Sequence, residues 1–283
     1  MRTFIKTVIT RIQTENTCRF FDKKLLENFR KTQKTSLKYQ GYQITSSRNL
    51  FGKSLTEEVS KTTLNSFKWD KNGNYRSNEI PSNIVKIILE SKNLESLVTD
   101  YFGCDVRLDD MYFKCSNGNS NSISEGWHTD NVGLRLKVFI CVGSGNDNPS
   151  TFIIPSSHLK EFKANFIEDF KRLTTKKQKP KKKKDELKIS YENDTIAIFD
   201  TNLMHRGDYD NHSGYRNTIV LEFMNRKKSN LLAKSNPCGP GQSFDKKIVF
   251  PKELEPELYN SILIDKEILF NNIDGDFEYK ISK

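Results

Sequence analysis

Glu125-Gly-Trp-His-Thr-Asp-Asn131 sets a histidine and an aspartate, His128 and Asp130, two residues apart. On an extended strand, side chains two apart point to the same face. An imidazole and a carboxylate then project together from one strand. Neutral imidazole and carboxylate oxygen are both good ligands for Fe(II) or Zn(II), so the pair is half of a metal site. The rest of the chain reads as what completes, supports and covers it.

Working outward, the region after Gly103 changes period. Residues 106–115, 134–142, 151–154, 187–190, 195–199 and 216–224 are short strand-like runs separated by turn residues. A helical insert at 157–173 interrupts them, with Leu159, Phe162, Phe166 and Phe170 on one side. Upstream, apolar spacing predicts helices over 3–13, 20–31 and 84–102 and a strand over 37–44. Between them, 45–83 is polar and weakly periodic, as in a functional lid or a disordered segment. The tail from Asn230 is proline-rich, with a short helical pattern around 257–270. Helices followed by many short strands predict a mainly β fold, a β-sandwich or jelly roll, with flanking helices. No linker divides the chain. It reads as one domain: N-terminal helices and polar lid segment in 1–104, a β core in 105–226 carrying the insert and a Lys-rich loop at 176–184, and a C-terminal extension in 227–283.

The chain has four histidines, His128, His158, His205 and His212. A third metal ligand belongs at the end of another core strand. His205 meets that requirement, in Asp200-Thr-Asn-Leu-Met-His-Arg-Gly207 after the apolar run 196–199. A polar loop then leads into the strand Arg216-Asn-Thr-Ile-Val-Leu-Glu-Phe223, which returns Arg216 toward the level of His205. Arg216 and Thr218 share a face, and a fixed guanidinium beside a metal suits a bidentate carboxylate. Arg135, Lys137 and Phe139 share a strand face, so Lys137 points into the barrel if the other face packs on helices. There it could touch an anionic ligand or reach solvent at the barrel mouth. His158 reads as a brace for the turn after Pro155, and His212 as an exposed loop residue.

His-x-Asp, a distant His, then an Arg resembles the Fe(II)/2-oxoglutarate dioxygenases, and more closely the phytanoyl-CoA dioxygenase family. The resemblance rests on Trp127-His-Thr-Asp130 with Leu136-Lys-Val-Phe-Ile140, on Ile154-Pro-Ser-Ser-His158, and on 194–207 running into Arg216-Asn-Thr218. It covers about 105–224. It implies a double-stranded β-helix core (jelly roll, cupin-like) with His128, Asp130 and His205 as the iron ligands. It also implies Arg216 on the distal carboxylate of 2-oxoglutarate, assisted by Thr218, with Lys137 a further candidate for that cosubstrate. Ser156 stands where the family often has glycine. The implied reaction uses Fe(II), 2-oxoglutarate and O2, hydroxylates a small-molecule C–H bond, and releases succinate and carbon dioxide. In the related halogenases a small residue replaces the aspartate, so Asp130 implies hydroxylation. Polar loops at 45–83 and 116–126, with Arg135 and Lys137, suggest a polar or conjugated substrate.

The net charge of +10, from 46 Lys and Arg against 36 Asp and Glu, raises the question of nucleic acid. The run Lys176-Lys-Gln-Lys-Pro-Lys-Lys-Lys-Lys184 is broken by proline, reads as a solvated loop, and implies no specific nucleic-acid partner. Residues 1–13 mix basic and apolar positions, which fits a packed helix better than peripheral membrane contact. Five scattered cysteines form no CxxC pair, so neither a disulfide framework nor a thiolate zinc site is expected. Without a transmembrane run or signal peptide, the expected location is cytoplasmic. Two alternatives stay open: a cupin-like metal-binding protein without turnover, and a basic nucleic-acid- or membrane-associated protein using the barrel as scaffold.

Overall fold

A computed structural model describes residues 2–61, 74–77, 80–103, 105–117, 126–130, 132–163, 181–208, 210, 212–235, 246–271 and 275–281. Its strands, in chain order, are β1 (Tyr42–Ser46), β2 (Asn74–Ser77), β3 (Val106–Asn117), β4 (Leu136–Ser144), β5 (Thr151–Ile153), β6 (Leu187–Ile189), β7 (Thr195–Asp200), β8 (His205–Gly207), β9 (Tyr215–Asn225), β10 (Lys246–Phe250), β11 (Leu269–Asn271) and β12 (Phe277–Ile281).

A large antiparallel sheet has the order β1-β7-β4-β9-β3-β2, and a small one the order β6-β5-β8. His128 extends the small sheet by an antiparallel bridge to His205. From β3 onward the chain runs large, small, large, small, small, large, small, large. That alternation is a double-stranded β-helix, as expected.

Period-two patterning explains why the layers hold. Leu136, Val138 and Ile140 on β4, Ile196 and Ile198 on β7, and Ile219, Leu221 and Phe223 on β9 turn outward into the main core. There they meet the helices α5 (Ser82–Glu90) and α6 (Lys92–Phe102), the last two in chain order before β3. Cys141, Ala197 and Phe199 turn inward and pack on Ile153, Ile189, Tyr191 and Leu203. On β3 the pairing with β9 shifts between Leu108, opposite Phe223, and Asp110, opposite Glu222. Asp109 is the extra residue, and beyond it Met111, Phe113 and Cys115 face the main core.

Several elements differ from expectation. The two expected N-terminal helices are one, α1 (Arg2–Phe29), because no glycine or proline interrupts the run. The expected strand over 37–44 opens instead as the short helix α2 (Leu37–Gln40), ended by Gly41 before β1. The expected helix over 84–102 breaks at Ser91, whose hydroxyl caps α6 by accepting from Leu94 N (3.1 Å) and donates to Leu50 O (2.7 Å). The polar stretch 45–83 contains the end of β1, α3 (Ser47–Phe51), α4 (Leu55–Ser60) and β2, each helix capped by a serine, while 62–73 and 78–79 lie outside the described residues. The tail builds a third sheet, β10-β12-β11, besides the short helix α8 (Glu255–Asn260) that follows α7 (Arg226–Ser235). The expected helical insert begins as a 3-10 turn at Ser157–Leu159, and its remainder from 164, with 176–180 of the lysine run, lies outside the described residues. Lys181 to Lys184 are exposed. Among the described residues, no helix is long and apolar enough to cross a membrane.

Two buried charges fasten α1 to this core. Lys228 Nζ on α7 lies 2.7 Å from both oxygens of Asp22 on α1 and 3.0 Å from Leu134 O. Asp22 Oδ2 also accepts from Leu134 N (2.9 Å), at the entry to β4.

Candidate metal centre

The edge of the small sheet brings the three sequence-predicted ligands together. His128 and His205 exchange both backbone hydrogen bonds at 2.9 Å, and Asp130 N donates to Thr201 O at 2.8 Å. Each imidazole is oriented from behind: Nδ1 lies 2.7 Å from Gly126 O for His128 and 2.8 Å from Leu203 O for His205. A carbonyl only accepts, so Nδ1 carries the proton and Nε2 keeps its lone pair. Both Nε2 atoms face Asp130 Oδ1, at 3.9 Å from His128 and 3.7 Å from His205. The three ligand atoms lie within 4.8 Å of one another. Burial, reinforced by His128, pulls the His205 imidazole down to about 3, so it is neutral and ready to coordinate. Two imidazoles and one carboxylate form a donor set that suits Fe(II).

The other oxygen of Asp130 is taken. Oδ2 accepts from Arg135 Nη2 (2.6 Å) and from Lys137 Nζ (3.1 Å). Glu222, opposite Lys137 across the β4–β9 pairing, holds the same two cations, at 2.8 Å from Arg135 Nη1 and 3.3 Å from Lys137 Nζ. Burial alone would raise the Asp130 carboxyl, but Lys137 and Arg135, followed by His205 and His128, outweigh it and hold the group well below the usual carboxylate range. Lys137 does point into the barrel, with its ammonium bonded to Asp130 and Glu222.

Arg216 is buried and lies across a line of rings from the ligands. His205 packs on Phe199 with centroids 5.2 Å apart, Phe199 on Phe139 at 5.2 Å, and the Arg216 guanidinium stands 6.0 Å from Phe139 and 4.1 Å from the Tyr191 ring centre. Its Nη1 donates to Pro149 O (2.8 Å), while Nε is buried without a partner among the described residues. Thr218 is buried two residues along β9, with Lys114 of β3 opposite it.

Sequence reading missed Lys114. Among the described residues its ammonium makes no hydrogen bond or ion pair. Burial, followed by Arg216, Lys137 and Arg76, pushes it down to about 8. Arg76 is itself paired with Asp110 (2.6 Å) and stacked on Tyr112. The signal was a lone lysine within the apolar run Met111-Tyr-Phe-Lys-Cys115.

Of the other histidines, His158 is buried with Nε2 2.9 Å from Lys38 O, bracing the turn after Pro155. His212 is not the exposed loop residue expected: only 10% of its side chain is accessible, and its ring nitrogens sit between Asp147 (2.8 Å) and Asp208 (3.0 Å). Trp127 Nε1 donates to Lys181 O at 3.0 Å.

No protein-family model and no curated protein sequence matches this chain. Among solved structures it is similar to EctD from S. alaskensis with 2-oxoglutarate and 5-hydroxyectoine, at 12% identity, 68% of this chain and 74% of that one covered, and a TM-score of 0.46. It is also similar to HygX from Streptomyces hygroscopicus with nickel, 2-oxoglutarate and hygromycin B, at 11% identity, 67% and 85% covered, and a TM-score of 0.48. A third is the non-heme alpha-ketoglutarate-dependent epimerase SnoN from nogalamycin biosynthesis, at 12% identity, 71% and 80% covered, and a TM-score of 0.48. All three likenesses are distant.

Proposed function

We propose that this chain is an Fe(II)- and 2-oxoglutarate-dependent dioxygenase that hydroxylates a C–H bond of a small polar or conjugated metabolite. Succinate and carbon dioxide are the coproducts. One observation carries the reading: His128 Nε2, Asp130 Oδ1 and His205 Nε2 converge with every neighbouring polar atom of the three side chains already bonded, so only a metal-facing set remains. Bound there, iron would supply chelation of a 2-oxo acid and activation of dioxygen.

The chain's own groups do the rest. His128, Asp130 and His205 hold the metal on one side and leave the other open. Arg216, with its unpaired Nε, and Thr218 take the distal carboxylate of the cosubstrate. Lys114, near both and without an acid partner among the described residues, gives that carboxylate a second cation, the role that sequence reading considered for Lys137. Phe139 and Phe199 line the route between metal and arginine and exclude water from it.

The test is anaerobic titration of the protein with Fe(II) and 2-oxoglutarate, following the weak visible charge-transfer band of the chelate. The wild type gives the band. His128→Ala and His205→Ala remain folded and give none. Arg216→Ala and Lys114→Met give it only at raised 2-oxoglutarate, since a buried carboxylate loses a charged partner. Folded wild-type protein without the band sinks the proposal.

A further inference from the structure

We infer that Glu222 is a positioning residue for the metal: through Arg135 and Lys137 it holds Asp130 to a single metal-facing oxygen. This rests on the iron reading above and adds to it a control on how the carboxylate binds. Asp130 Oδ2 takes two charged donors while Oδ1 faces the two imidazoles. Glu222 is 3% exposed and bonds the same two donors from the far side. Two anions and two cations therefore meet as a neutral quartet against the metal position.

The quartet has two consequences. With Oδ2 engaged, Asp130 would offer a metal one oxygen rather than two. The balance of charge also becomes a control on affinity. Without the Glu222 charge, Arg135 and Lys137 both draw more strongly on Asp130, and the quartet turns net positive beside a divalent cation. Without Lys137, it turns net negative and Oδ2 is partly released toward the metal. The two changes push affinity in opposite directions, whereas a role confined to packing weakens it in both.

The experiment measures Co(II) dissociation constants by chelator competition, without cosubstrate or turnover. Groups that orient metal ligands are worth roughly 10–100-fold in metal affinity. Glu222→Gln is expected to weaken Co(II) binding by about that factor, Lys137→Met to tighten it, and the double variant, neutral again, to return within a few-fold of wild type. If Glu222→Gln does not fold, Lys137→Met alone decides: tighter binding supports the inference and weaker binding overturns it. Both single variants weakening, or neither moving, also overturns it while leaving the iron reading intact. A folded wild type that binds no Co(II) overturns the iron reading itself.

Discussion

Ser156 carries a left-handed backbone, φ 62, on an L side chain, and its hydroxyl makes no capping bond there. Only glycine enters that region without a Cβ penalty, which is about 1–2 kcal/mol for other residues. The turn keeps its shape because Ser156 N donates to Gln40 O (2.8 Å) and His158 reaches Lys38 O (2.9 Å). Ser156→Gly should therefore raise the unfolding free energy by about 1 kcal/mol, the strain relieved less the added chain entropy. Chemical denaturation at unchanged m-value measures it, and a loss of stability would show that the serine side chain matters in another way. Sequence alone exposed the oddity at 156 by comparison with the family pattern. The roles of Lys114 and Glu222 stayed hidden, because each depends on which strand lies beside it.

At the scale of elements, α1 is attached by charge as well as by its apolar residues Cys18, Leu26 and Phe29. Lys228 and Asp22 are both buried, and breaking one side of such a pair strands the other charge. Lys228→Met should cost about 3–5 kcal/mol, and adding Asp22→Asn should recover part of it. Denaturation of the two variants decides: a loss below about 1 kcal/mol in the single variant would mean that water reaches Asp22. Strands were legible because each large-sheet strand has one apolar outer face, as in Leu136, Val138 and Ile140. The third sheet was not. Ile248 and Phe250 acquire their partners Tyr279 and Phe277 only across a long sequence gap, and 246–250 carries two lysines that obscure its alternation.

Across the whole molecule, the two sheets are unequal. The small sheet is built from three-residue strands, whereas β3 and β9 pair over most of their length. All three candidate ligands stand on or beside the small sheet's edge, so a metal bound there would tie 126–130 to β8. Metal at a hundredfold excess over its dissociation constant should stabilise the fold by about 2.7 kcal/mol. Amide protection should rise at 126–130 and 205–207 more than along β3 and β9. Thermal unfolding and hydrogen exchange with and without Ni(II) test this, with His205→Ala expected to show neither effect. An equal rise everywhere would mean that the metal acts on the global transition alone. His205 and Arg216 were legible as candidates because each lies at the start of a strand, and His128 and Asp130 because their spacing sets an imidazole and a carboxylate two residues apart. The polar quartet behind Asp130 was not, since it exists only once β4 lies beside β9.

The extra residue at Asp109 works as a phase slip in a wave of period two. Ahead of it the even-numbered side chains of β3, Val106 and Leu108, look toward the helices; behind it the odd-numbered ones do, Met111, Phe113 and Cys115. Lys114 faces the barrel because of that slip. If all the residues of β3 paired one for one, with no position left over, the wave would run through and turn Lys114 into the apolar layer and Phe113 into the cavity; deleting Asp109 instead leaves Lys114 opposite Thr218. A single inserted position thus decides which face of a long strand is wet.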